Sequence, residues 1–343
     1  MDASISLDDI REAAKVVDPV FLHSPEFVCE PLSAHLRVTT VLKVETVNPI
    51  RTFKGRGTDY LLHRLGDGAQ GLVCASAGNF GQGMAYACRK RGRPLTVFAA
   101  RAANPLKIER MRALGAKVEL QGDDFDEAKD AAKLHAQQNG EVYVEDGLLG
   151  AIAEGAGTIA VELTHETEPI DAVFVPLGNG SLVNGMGTWL KHSAPSTQVI
   201  AVCAKTAPSM ALSWKAGKPV AAPSTTIADG IAVRVPIAEA VGIMPGTIDE
   251  VMLVSDDEML AAMRALFADA GLVVEPAGAA GVAAIAQRAH EFENKRVATV
   301  LTGGNLTRDQ VRSWLTFTEV RPARARRAPG QRGNPAPPGD RAG

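Results

Sequence analysis

The chain has 343 residues, 46% apolar and 22% charged, with a formal net charge of −3. That length suits one large or two medium domains around a sizeable core. The charge balance gives no electrostatic case for nucleic acid as a partner, and no apolar run approaches the length of a membrane span.

"SLDD" followed by "IREAAKVV" near the start reads as a capped helix, with no basic or apolar leader before it. Strand-like runs follow at 38–45, 71–76, 94–100, 116–121, 171–177, 197–204, 250–255 and 296–303. Helical patterns at 81–92, 104–115, 123–140 and 255–271 lie between them, several opening on Asp, Asn or Ser and closing on Gly. This alternation predicts an α/β fold with two open, twisted, mostly parallel sheets flanked by helices. Segment 204–249 has few clean periods and is expected to be a long excursion. Residues 321–343 carry six Arg, five Pro and four Gly with no large apolar side chain, which predicts a disordered tail from 319 to 343. The expected division is a large domain of 1–69 and 148–318 with a small domain, 70–147, inserted in it. Cys29, Cys74, Cys88 and Cys203 form no CxxC pair and read as reduced thiols of a cytoplasmic protein.

Chemistry concentrates at strand ends. In "VPLGNGSL" a buried strand runs into Gly178, Asn179, Gly180, Ser181 and Leu182 at a helix start, a place for a phosphate. No Gly-Lys-Ser/Thr follows, so it is not a P-loop, and Val183 stands where a dinucleotide fingerprint needs its third glycine. In "CASAGNFGQG" the loop Ser76, Ala77, Gly78, Asn79, Phe80 suits a small anion such as a carboxylate, or serves only as a helix cap. "VLTGGN" puts Thr302 at the carboxyl end of another buried strand, where a neutral hydroxyl can meet a ligand heteroatom. "NPIRTFKGRG" sets Lys54 beside Phe53, between a turn and a helix. The seven His form no HExxH and no ligand-spaced pair, and no GxSxG elbow is present, so no metal site and no hydrolase triad is expected. A phosphate cradle, a carboxylate loop, a hydroxyl and an isolated amine together describe pyridoxal phosphate holding an amino acid.

On these motifs, in this order, the chain resembles the fold type II (β-family) pyridoxal-phosphate enzymes, in their serine/threonine dehydratase branch. "TIADGIAV" and "VEPAGAAG" also have counterparts there. The resemblance implies Lys54 as the Schiff-base lysine and general base, with Phe53 as its ring neighbour. It implies Asn79 on the cofactor's phenolic oxygen, Gly178 to Leu182 on its phosphate and Thr302 on its ring nitrogen. Ser76 to Phe80 would hold the substrate carboxylate.

The implied activity is β-elimination from a hydroxy amino acid such as L-threonine or L-serine, giving a 2-oxo acid and ammonia. The alternatives are β-replacement, as in cysteine and threonine synthases, and a non-catalytic binding protein. Three departures bear on it. Ala77 stands where racemases carry a serine, which disfavours racemisation. Phe80 replaces a common His, and Arg51 and Thr52 stand before Phe53, which leaves room for a bulkier or more apolar β-hydroxy amino acid or for a substrate with an acidic group meeting Arg51. No acids follow Cys203 to suggest a divalent cation. A homodimer is expected on the general prevalence of two-fold assemblies.

Overall fold

A computed structural model describes residues 3–165 and 168–316. The tail expected at 319–343 lies outside the described residues. Ten strands are present among them: β1 (Glu26–Val28), β2 (Thr39–Val44), β3 (Leu72–Ala75), β4 (Leu95–Ala99), β5 (Lys117–Leu120), β6 (Val142–Val144), β7 (Ala172–Pro176), β8 (Gln198–Ala204), β9 (Glu250–Val254) and β10 (Arg296–Leu301). The α-helices are α1 (Leu7–Val16), α2 (Glu30–Leu36), α3 (Lys54–Leu65), α4 (Asn79–Lys90), α5 (Pro105–Ala113), α6 (Phe125–Asn139) and α7 (Gly150–Leu163). They continue with α8 (Ser181–Ser193), α9 (Ser209–Ala216), α10 (Ala238–Ile243), α11 (Asp256–Ala270), α12 (Pro276–Gln287) and α13 (Arg308–Leu315).

The strands form a six-stranded sheet, β1-β2-β10-β7-β8-β9, and a four-stranded sheet, β5-β4-β3-β6. Every pairing is parallel except β1 with β2. Strands such as β7 (AVFVP) are buried at every position, as expected for a parallel sheet covered by helices on both faces. All eight strands expected from the sequence are present. The two others, β1 and β6, have three residues each, too few to show a period. Caps follow local chemistry. Ser255 and Glu258 close a capping box on α11, and Gly140 ends α6 in the left-handed region at φ 64°.

Lys54 is the first residue of α3, so the seat of α3 is the seat of the amine. The helix lies against α7 at very short range. A Cβ on Gly57 would come 2.4 Å from the Ile152 carbonyl oxygen, and one on Gly155 would come 2.5 Å from that of Arg56. Only glycine at both positions permits this approach. Arg56 is fully buried and ties α3 to its neighbours. Its guanidinium donates to Glu45 at 2.8 and 3.0 Å, to Glu162 at 2.6 and 2.9 Å, and to the Thr158 hydroxyl at 2.9 Å. Lys43, also buried, pairs with Glu162 at 2.7 Å and Glu26 at 3.1 Å. Burial alone would push Glu162 up. The hydrogen bonds and charge of Arg56, with those of Lys43, outweigh it and hold the carboxyl at about 2.

One turn before Thr158 on α7, Glu154 accepts from the Ser6 backbone N–H at 3.1 Å and anchors the start of α1. Burial, with Asp9 nearby, pushes Glu154 up to about 7 despite the Ser6 bond. A raised carboxyl adds stability below its unfolded value of 4.5 that is lost as pH climbs through about 7. Glu154→Gln should therefore match the parent protein at pH 4 and exceed it by up to about 3 kcal/mol at pH 8. Unfolding midpoints at the two pH values check this. A difference that does not change with pH would contradict it.

Candidate active site

The carboxyl ends of β3, β6, β7 and β10 face one cavity of about 350 Å³. This is the edge at which ligands bind in open parallel sheets. All thirteen residues singled out from the sequence line it: Phe53, Lys54, Ser76, Ala77, Gly78, Asn79, Phe80, Gly178, Asn179, Gly180, Ser181, Leu182 and Thr302.

Lys54 Nζ lies 4.7 Å from the centroid of the Phe53 ring. An antiparallel bridge between Thr52 and Gly303, with Phe53 N–H donating to the Thr302 carbonyl at 3.1 Å, locks this turn to the end of β10. The Thr302 hydroxyl has no hydrogen-bond partner among the described residues, although the residue is only 5% exposed. It is held at the cavity wall by its backbone alone.

The 76–80 loop is built by Ser76. Its Oγ accepts from the backbone N–H of Gly78 at 3.2 Å and of Gly81 at 2.9 Å, which shapes the start of α4. Its own O–H is left to point at a ligand. Asn79 is the first residue of α4. Its Oδ1 accepts from Asn305 at 2.8 Å, and one N–H of Nδ2 goes to Glu275 at 2.5 Å. The second Nδ2 hydrogen is spare. Burial holds Glu275 above the usual carboxylate range despite the charge of Lys107, 3.9 Å away. At the third loop, Gly180 takes φ 99°, left-handed backbone that favours glycine, and a Cβ on Gly178 would lie 2.7 Å from the Gly230 carbonyl oxygen. The first-turn amides of α8 follow, with the positive end of the helix dipole.

The excursion at 204–249 supplies the remaining wall. Asp229 to Val235 line the cavity, and Asp229 reaches across to Lys107 of α5 at 2.5 Å. Arg234 pairs with Asp124 and Asp126 at the start of α6. Sequence reasoning missed these pairs, and it missed Asp146, whose Oδ2 lies 2.6 Å from Lys54 Nζ. The adjacent acids Glu145 and Asp146 are the one sequence signal that could have pointed there. The expectation for Arg51 is corrected. Arg51 is exposed, sits at φ 53° and is not part of the cavity lining. Thr52 is buried, and its hydroxyl donates to the Thr302 carbonyl at 2.9 Å. The Thr52–Gly303 bridge fixes both. Six of the seven His are exposed, and none lines the cavity.

This arrangement fits a phosphorylated aromatic aldehyde. Glycines whose Cβ atoms would clash open the amides of one loop to an anion. An amine stands beside an aromatic ring, and a free hydroxyl and a free amide hydrogen face the space between. A two-sheet parallel α/β fold with a lysine amine beside an aromatic ring, opposite an anion loop, defines a cofactor-dependent amino-acid enzyme. Residues 23–303 match the family model for pyridoxal-phosphate dependent enzymes, and the chain belongs to that family.

It is 34% identical over 305 residues to the L-threonine ammonia-lyase of Thermotoga maritima, covering 88% of this chain and 76% of that one. It is also 34% identical to the biosynthetic L-threonine dehydratase IlvA of Salmonella typhimurium, covering 87% of this chain but 57% of that longer one. Among solved structures it is similar to threonine deaminase isoform 2 of Solanum lycopersicum, with a TM-score of 0.82, 28% identity and coverage of 91% and 94%. Maize serine racemase superposes with a TM-score of 0.84 at 26% identity, covering 90% of this chain and 96% of that one.

Proposed function

We propose that the protein is a pyridoxal-phosphate-dependent ammonia-lyase that eliminates water from a β-hydroxy amino acid, L-threonine or L-serine, and releases a 2-oxo acid and ammonia. The observation that carries this reading is the meeting of Lys54, the 76–80 loop, the 178–182 loop and Thr302 in one cavity. The named activities of the relatives from Thermotoga and Salmonella support it.

The residues divide the work. Gly178 to Leu182 hold the phosphate through backbone amides. Thr302 gives the ring nitrogen a neutral partner, and Asn79, oriented by Glu275 and Asn305, offers its spare amide hydrogen to the phenolic oxygen. The N–H groups around Ser76 to Phe80 take the substrate carboxylate at the start of α4. Pyridoxal phosphate, when bound, supplies the electron sink for the charge left at the substrate Cα. With the cofactor bound and its own Nζ free, Lys54 would take the proton from the substrate Cα as general base. Ala77 presents only a methyl group in the cavity, so this loop position offers no second base, and elimination is favoured over racemisation. The proposed assembly is a homodimer and the proposed location the cytoplasm. No described helix is long and apolar enough to cross a membrane.

The test is product analysis. Purified protein given L-threonine or L-serine should release 2-oxobutanoate or pyruvate with one ammonia per oxo acid, and an added thiol should not divert the product. Accumulation of a thioether amino acid instead would establish β-replacement and overturn this reading.

A further inference from the structure

Asp146 follows β6 and touches two groups at once. Its Oδ2 pairs with Lys54 Nζ at 2.6 Å, and its Oδ1 accepts the Ser181 hydroxyl at 2.7 Å. Its side chain is 9% exposed. Gly147 beside it takes φ 94°, and a Cβ there would come 2.9 Å from the Asn179 carbonyl oxygen, so this turn is pressed against the 178–182 loop. The other acids near it are matched elsewhere. Glu145 pairs with Lys129, and Asp229 with Lys107. Among the described residues the only cation paired with Asp146 is Lys54, the residue that the cofactor itself requires.

Ser181 has a single O–H to donate, and here it goes to a carboxylate. A phosphate seated on the same loop must compete for that hydrogen and must also lie close to the carboxylate. Inside a protein, like charges at such range repel far more than they do in water.

We propose that Asp146 is a built-in counter-anion that weakens the phosphate arm of cofactor binding and so sets how readily the protein takes up and releases pyridoxal phosphate. The inference rests on the reading that residues 178–182 hold the phosphate and Lys54 the aldehyde carbon. Asp146→Asn keeps the shape, removes the charge and adds an N–H that can face a phosphate oxygen.

The full chain, freed of cofactor by dialysis against hydroxylamine, is titrated with pyridoxal phosphate and with pyridoxal, which has the aldehyde but no phosphate. Inorganic phosphate is added as a competitor. Asp146→Asn should bind pyridoxal phosphate at least about tenfold more tightly, with pyridoxal affinity within about threefold of the parent. Inorganic phosphate should compete at about tenfold lower concentration in the variant. Asp146→Ser serves as the second variant if the first does not accumulate folded. Equal gains for both aldehydes would place the effect on Lys54 alone and overturn the proposal, as would an unchanged or weakened affinity for pyridoxal phosphate. If the parent protein attaches no pyridoxal phosphate to Lys54, the underlying reading has failed. If it does attach, and the ratio of the two affinities is the same in parent and variant, only the role of Asp146 has failed.

Discussion

Lys54→Arg should release oxo acid from L-threonine at least about 10³-fold more slowly than the parent protein, with its thermal midpoint little changed. Arginine keeps a positive charge beside Asp146 and the long apolar stem against Phe53, so the local pairing survives. It has no neutral amine at working pH, so it can neither bond the cofactor nor take a proton from Cα. Oxo-acid release, measured beside circular dichroism and thermal melts, separates lost chemistry from lost fold. A variant that retained a tenth of the parent rate would remove Lys54 from the centre of the account.

The largest expected loss of stability comes from Arg56→Met. Methionine fills much of the same volume but leaves Glu45 and Glu162 buried without their main cation. Lys43 still pairs with Glu26 and Glu162, but Glu45 loses the cation it pairs with. Breaking a buried pair from one side typically costs about 3–5 kcal/mol, a large share of a domain's stability. Denaturant midpoints measure it. Adding Glu45→Gln and Glu162→Gln to Arg56→Met should recover part of the loss, because the stranded charge goes with them. If the triple variant is no better than Arg56→Met, the loss is one of shape and the charge argument is wrong. The same network carries α3, so Arg56→Met should also weaken cofactor retention at whatever temperature the fold survives.

The fold was readable because parallel strands buried on both faces leave long apolar runs, and caps and glycines mark where they stop. The short strands β1 and β6 left no such trace, since three residues cannot display a period. At the site, residues that act through their own backbone and immediate neighbours were legible. Gly178 to Leu182, Ser76 to Phe80, Thr302 and Lys54 each sit where a strand or turn gives way to the next element. Residues that acquire meaning through distant partners were not. Lys54 meets Asp146 across 92 positions, Lys107 meets Asp229 across 122, and Asn79 meets Glu275 across 196. Only the fold brings them together. Arg51 failed for a related reason. Three residues before the proposed catalytic lysine, it is exposed and outside the cavity because the Thr52–Gly303 bridge and a left-handed turn decide its direction.

Reduction with borohydride in the presence of pyridoxal phosphate, followed by peptide mass mapping, tests the central claim most directly. The account predicts a single phosphopyridoxyl group on the peptide that contains Lys54, absent from Lys54→Arg. A label on Lys43, Lys107 or Lys129 instead, or no label on freshly reconstituted protein, would contradict it.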